Sequence, residues 1–257
     1  YTGLQGDLAL KSPVSSPSFT GNVGVGVVPE AWQSTYKMVD VNASASFGGH
    51  SSYFTYMGNN WYVDASGNHK YKNTSFATRY YQDSSGKHHF QTAPSGTADA
   101  AISWTLSMTI DNAGIVTKPL QPAFFVTKSA QQDFNNGVTT VVTWDTEAFD
   151  EGGNLASNTF TAPVDGKYFL QAEVRFDHVD TASSYYLIYI VTSNRTSQVI
   201  IDPNFTADLA YMSMQNSGVF DMDAGDTAYV QVRQNNGHDV SHVSHGNYSN
   251  FSGYLLG

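Results

Sequence analysis

Cysteine is absent from all 257 residues. That excludes a disulfide scaffold and any thiolate-bound metal, and leaves packing and association as the sources of stability. Charge is scarce as well: 13% of residues are charged, and only 12 are Lys or Arg, scattered along the chain. With a formal net charge of −10, the chain lacks the clustered cations that phosphate binding requires, so nucleic acid and anionic membrane surfaces are excluded as partners. No run reaches the ~18 apolar residues of a membrane helix, and no basic-then-apolar leader opens the chain. The first residue is Tyr1 and not Met, which reads as part of a longer polypeptide. Helical periodicity is nearly missing; its closest approach is PEAWQSTYKMVDV (29–41), with Pro29 as a first-turn residue. A Gly-rich phosphate loop, a nucleophile elbow and a His-Glu-x-x-His helix are also absent.

What is present is polar, glycine-punctuated and aromatic, with 22 Gly, 16 Tyr and 15 Phe. This is the usage of a rigid β protein. Short alternating runs are separated by turns such as ASGN and SSGK, which supply the positive-φ positions of tight hairpins. SFTGNVGVGVV (18–28) and SMTIDNAGIVT (107–117) echo each other as strand, Gly turn and strand. Between them, Trp61, Tyr62, Tyr71, Tyr80, Tyr81 and Phe90 have strand spacing. Rings of this size belong to a core or a threefold interface, or else form a sugar-stacking platform. TKPLQPAF (117–124) has two prolines three apart and reads as a linker, dividing residues 1–118 from 119–257.

In the second half, NTFTAPVDGKYFLQAEV (158–174) joins two half-buried strands through its PVDG turn. Phe160, Ala162 and Val164 share a face before the turn, and Tyr168, Leu170, Ala172 and Val174 share one after it. GDTAYVQV repeats the alternation, with Ala228, Val230 and Val232 on one side. Together with PAFFV (122–126), DFNNGVTTVVTWDTEAFDEGGNL (133–155), SGVFDMDAGDTAYVQVRQ (217–234) and NFSGYLLG (250–257), these segments resemble the successive strands of the complement-type globular head. That head belongs to the same jelly-roll superfamily as tumour necrosis factor. The resemblance implies a two-sheet jelly roll that assembles as a trimer.

The first half resembles bacteriophage tail-fibre proteins in LALKSPVSSPSFTGNVGVG (8–26) and SMTIDNAGIV. Residues 67–111 are similar to structural proteins of marine and cyanobacterial phages, cyanophage among them. Short strands with Gly turns cannot each close a core in one chain, so an intertwined, three-chain shaft is the expectation for this half.

Two clusters bear on chemistry. WDTEAFDEGG gathers Asp145, Glu147, Asp150 and Glu151, and paired carboxylates are the tools of glycosidases. They lie too near a turn to frame a sugar ring, so no catalytic residue is assigned. NGHDVSHVSHGNYSN (236–250) holds His238, Asp239, His242 and His245 just before the last strand. Three copies of such a loop would triple each ligand, and certain phage fibres hold metal by axial histidines, so His238, His242 and His245 are the candidate metal ligands on or near a trimer axis. The spacing matches no standard zinc signature. The same loop, with Tyr185 and Tyr186, is the candidate receptor surface. DMDAGDT (221–227) lacks the twelfth-position Glu of a calcium loop and reads as a turn.

The expectation is therefore an all-β homotrimer: an N-terminal β-hairpin, shaft-like domain followed by a C-terminal jelly-roll head. It would be a non-enzymatic virion fibre subunit, joined to other virion proteins through its N-terminus and holding a host surface glycan at its tip. The rivals are a structural head-fibre or capsid-decoration protein and a glycan depolymerase.

Overall fold

The computed structural model describes residues 19–237 and 240–256. The chain divides into two units, Tyr1–Pro119 and Leu120–Gly257. Among the described residues there is no helix. The 29–41 segment is not helical: Tyr36–Val41 is a strand whose Tyr36, Met38 and Asp40 are all buried. A core on one side of the backbone rewards period two there, and the Trp32/Tyr36 spacing that imitates a helical stripe is incidental.

The first unit contains β1 (Val23–Val25), β2 (Tyr36–Val41), β3 (Ala45–His50), β4 (Phe54–Asn59), β5 (Tyr62–Val63), β6 (His69–Lys70), β7 (Ser75–Gln82), β8 (His88–Gly96), β9 (Thr105–Ile110) and β10 (Val116–Thr117). Eight of them make one sheet in the order β1-β2-β3-β4-β7-β8-β9-β10. All neighbours are antiparallel except β1 and β2, so the two echoing segments differ: residues 107–117 form a hairpin end, while Val23–Val25 pairs in parallel.

The β5–β6 hairpin is an excursion between β4 and β7 that buries Trp61 and Val63 in one cluster and Tyr71 in a second, against Ala77 and Ala93. Trp61 meets Trp32 edge-on at 5.1 Å and Tyr56 at 5.3 Å. The premise of an intertwined shaft, that these strands bury their rings only in company, thus fails. One copy already buries Trp32, Tyr36, Met38, Tyr56, Trp61 and Val63 together.

Beside that core sits a buried ion pair. Asp40 accepts from Lys72 Nζ (2.7 Å), Trp32 Nε1 (3.0 Å), Ser46 Oγ (2.9 Å) and the Glu30 amide (2.8 Å). Burial alone would raise its pKa, but the donors led by Lys72 outweigh it and hold the carboxyl below the usual range.

The second unit contains β11 (Ala123–Lys128), β12 (Gln132–Asn135), β13 (Thr140–Val141), β14 (Thr146–Glu151), β15 (Leu155–Ala156), β16 (Thr159–Thr161), β17 (Gly166–Val179), β18 (Tyr185–Thr192), β19 (Thr196–Ile201), β20 (Leu209–Met222), β21 (Thr227–Asn235), β22 (Val240–Val243) and β23 (Gly246–Leu255). They form two antiparallel sheets. One runs β12-β22-β17-β23-β11-β14, with β20 along the other edge of β17; the other runs β15-β16-β21-β18-β19, with β13 on β21.

The core lies between the sheets. Tyr168, Leu170, Ala172, Val174 and Phe176 of β17 face Ala228, Val230 and Val232 of β21, all fully buried. Phe124 joins the layers by stacking on Phe160 at 4.8 Å and meeting Phe251 at 4.9 Å. Val164, expected on the buried face, is instead exposed in the turn before β17, where its carbonyl accepts the Tyr168 hydroxyl at 2.8 Å. This is the all-β jelly roll that the complement-type resemblance implied.

Candidate functional site

Beyond its buried residues, β17 turns Phe169, Gln171, Glu173, Arg175 and Asp177 to the outside of its sheet. Register assembles the neighbours. Tyr254 of β23 and Val219 of β20 flank Phe169, while Phe125 of β11 lies opposite Phe149 of β14. The ring centroids are 5.5 Å apart for Phe169–Tyr254 and 6.4 Å for Phe125–Phe149. Tyr254 is 47% exposed. The outer face of this sheet thus carries aromatic side chains across four adjacent strands, with the exposed Lys167–Asp221 pair (2.6 Å) beside them.

Toward the far end of β17 the face becomes polar. Ser244 Oγ accepts from Arg175 Nη2 (2.6 Å) and donates to Asp177 Oδ2 (2.7 Å), and Arg175 Nε also reaches Asp177 Oδ1 (3.1 Å). The guanidinium carbon lies 3.6 Å from the Tyr248 ring centroid and 5.2 Å from that of Tyr211, a cation within reach of two exposed rings. Asp177 is paired in register with His242 of β22. The His242 Nδ1 lies 2.7 Å from Asp133 Oδ1, which holds the Asp133 carboxyl below its ordinary range. The His178 ring meets His242 edge-on at 5.1 Å, from a backbone held at φ 58°.

Among the candidate residues, His242 therefore sits within this cluster and His245 is exposed in the turn that follows. His238 and Asp239 lie outside the described residues. Tyr185 is half-buried, but Tyr186 is fully buried, tilted against Phe176 at 5.4 Å and accepting the Asp180 amide at 3.0 Å. Tyr186 serves the core and offers no surface to a receptor; adjacent strand residues face opposite ways, so only one of the pair can point outward. Among the described residues no three His, Asp or Glu side chains converge on a metal position.

Two members of the acidic cluster close loops. Asp145 accepts from the Ser129 hydroxyl (2.7 Å) and amide (2.6 Å), which depress its pKa. Asp150 accepts the Asn154 and Leu155 amides at 3.0 and 2.8 Å.

Sequence reasoning missed Arg175, His178, Tyr211 and Tyr248, as well as the outward row of Phe125, Phe149, Phe169 and Tyr254. The available signal was period two itself, which put Phe169 and Tyr254 at solvent-facing positions.

Among the solved structures similar to this chain, the coverage is about half of its length. The zebrafish complement 1qA globular domain is similar at 14% identity, over 53% of this chain and 98% of that one, with a TM-score of 0.41. Murine APRIL is similar at 18% identity, over 53% and 99%, with a TM-score of 0.39. No curated protein matches the chain. The family model described as the C1q domain matches residues 123–256, just over half of the chain, and the chain belongs to that family.

Proposed function

We propose that the chain is a virion fibre subunit that assembles as a homotrimer through its C1q unit and holds a host-cell surface polysaccharide with the loops at one end of that unit. The observation that carries this reading is the aromatic outer face of Phe149, Phe125, Tyr254 and Phe169. Each Å² of such surface left wet forgoes about 25 cal/mol, and a neighbouring copy is the natural cover for a domain of a family that commonly assembles in threes. The tail-fibre resemblance of the first half supports the virion setting, with residues toward the N-terminus docking to other particle proteins. The Arg175, Tyr211, Tyr248 and His242 cluster, with Tyr185 and His245, supplies the mixture of exposed rings and hydrogen-bonding groups that suits a neutral sugar. Three weak sites acting together supply the avidity. The reading is retention and not turnover; within the acidic cluster Asp145 and Asp150 are engaged by backbone and hydroxyl donors.

Sedimentation velocity combined with binding to host cells tests the reading. The expected result is a species of three times 28.0 kDa that adsorbs to host cells and is displaced by their purified polysaccharide. A monomer that ignores cells to which whole particles bind overturns it.

A further inference from the structure

The first unit buries only one face of its sheet; the other face carries a row that no local periodicity reveals. Pairing register places Val39 opposite Phe47, Phe47 opposite Met57, Met57 opposite Tyr80, Tyr80 opposite Phe90, and Phe90 opposite Met108. Six adjacent strands each contribute one apolar or aromatic side chain to a single line, and Val23 continues it onto β1. At ~4.8 Å per strand the line is roughly 24 Å long.

Phe47 and Met57, near its middle, are 56% and 57% exposed. Tyr80 and Phe90 pack ring against ring at 5.0 Å and border a groove of about 450 Å³ whose other wall is Asn59, Thr78 and Thr92. Over β4, β7 and β8 the rows on either side are polar: Thr55, Gln82 and His88 along one, Asn59, Thr78 and Thr92 along the other; the first row runs on to Lys37 and Ile110, the second to Ala45 and Val41. No Asp, Glu, Lys or Arg stands in the line itself.

We infer that this stripe is covered by the same stripe of other copies of the chain, so that the first unit has an association face of its own. The inference rests on the homotrimer proposed above. Its exposed apolar area is on the order of 400–500 Å², the size of the largest and often functional patch on a monomer, and below the ~800 Å² per partner that an independently stable complex needs. That deficit favours a partner already held nearby. Only residues 118–122 separate β10 from β11, a span of at most ~18 Å. A trimer of C1q units therefore holds three first units at millimolar or higher effective concentration, where a modest interface suffices. Charge points the same way. Copies of a chain with net charge −10 repel each other, and an uncharged line whose flanking rows hold no Asp or Glu is where they meet without that penalty.

The cysteine-free chain makes the test direct. Met57→Cys and, as a control on an exposed hairpin tip, Ser66→Cys are introduced singly into the full chain. Oligomeric mass, thiol labelling rate and oxidative cross-linking are then measured on each. The inference expects a trimer in which the thiol of Met57→Cys labels at least tenfold more slowly than that of Ser66→Cys and forms inter-chain disulfide dimers on oxidation, while the control thiol does not. A trimer in which both thiols label equally fast overturns the inference and leaves the head-driven trimer standing. Protection of the stripe thiol without any inter-chain product means that the stripe is covered by its own chain, and overturns it as well. A monomeric chain overturns both readings.

Discussion

Acid should loosen the first unit through one histidine. His69 Nδ1 receives two donors, Trp104 Nε1 at 2.7 Å and Arg79 Nη1 at 3.0 Å. It is therefore an acceptor, and the ring is neutral with its proton on Nε2. Protonation would place a hydrogen where two already point, and a positive charge beside a guanidinium that is itself boxed by Trp104 at 4.4 Å and by Trp61 and Tyr81 at 5.1 Å. Burial first and Arg79 second push the His69 pKa down to about 4. The unfolded chain takes up that proton near pH 6.5 and the folded one not until about pH 4, so the stabilisation is complete above pH 6.5 and drains away as pH falls toward 4. A displacement of that size is worth about 3 kcal/mol at most. The ring is only half-buried, so solvent screening reduces the expected loss to about 1–2 kcal/mol.

The assay is urea unfolding followed by tryptophan fluorescence between about pH 7.5 and 4.5, spanning the window over which the proton uptake differs. Three of the four tryptophans, Trp32, Trp61 and Trp104, belong to the first unit. His69→Asn keeps an acceptor oxygen near the Nδ1 position and cannot titrate, so its stability should stay flat where the wild type falls. Asp40 and Asp83, held below the usual carboxylate range, lose their contribution only at lower pH and cancel in the comparison. Parallel decline of the two proteins would refute the argument.

Gly58→Ala should unfold the first unit selectively. A Cβ there would be driven into the Trp61 indole nitrogen and to 2.9 Å from the Thr78 carbonyl oxygen. Neither can yield, since Trp61 is fully buried, so a cost of about 3 kcal/mol or more is expected in that unit's transition by calorimetry, with the C1q unit's transition unmoved. In the second unit, neighbouring substitutions should separate folding from association. Tyr168→Ala removes a fully buried ring and should cost about 3–5 kcal/mol of unfolding free energy. Phe169→Ala should change protomer stability by under about 1 kcal/mol while raising the trimer dissociation constant in sedimentation equilibrium.

The C1q unit was legible because its strands obey period two over long runs. From Tyr168 to Phe176 in β17 and throughout β21 every second residue is buried, and alternation of that length has few other solutions. The first unit was legible only as strands. Its self-sufficiency depends on where the β5–β6 excursion delivers Trp61, Val63 and Tyr71, a tertiary relation that leaves no periodic trace. The site was legible by residue type and not by partner. His242 was visible in its His-rich loop, but His178, Arg175 and Tyr211 reach it from strands far earlier in the chain, joined by sheet register alone.

One local signal did hold the missing information. The chain contains aromatic doublets inside strands: Tyr80-Tyr81, Phe124-Phe125, Tyr168-Phe169 and Tyr185-Tyr186. Adjacent strand residues face opposite sides, so each doublet must send one ring inward and one outward. The inner members are Tyr81, stacked on Tyr56 at 5.5 Å, and the buried Phe124, Tyr168 and Tyr186. The outer members are Tyr80 on the first unit's stripe, Phe125 and Phe169 on the C1q unit's aromatic face, and Tyr185 beside the candidate receptor loops. A sheet with one wet face has no use for such pairs, because polar alternation serves it better. Doublets recur in both units, so each sheet carries rings on both of its faces. The core accounts for one face, and the association proposed above gives the other its cover.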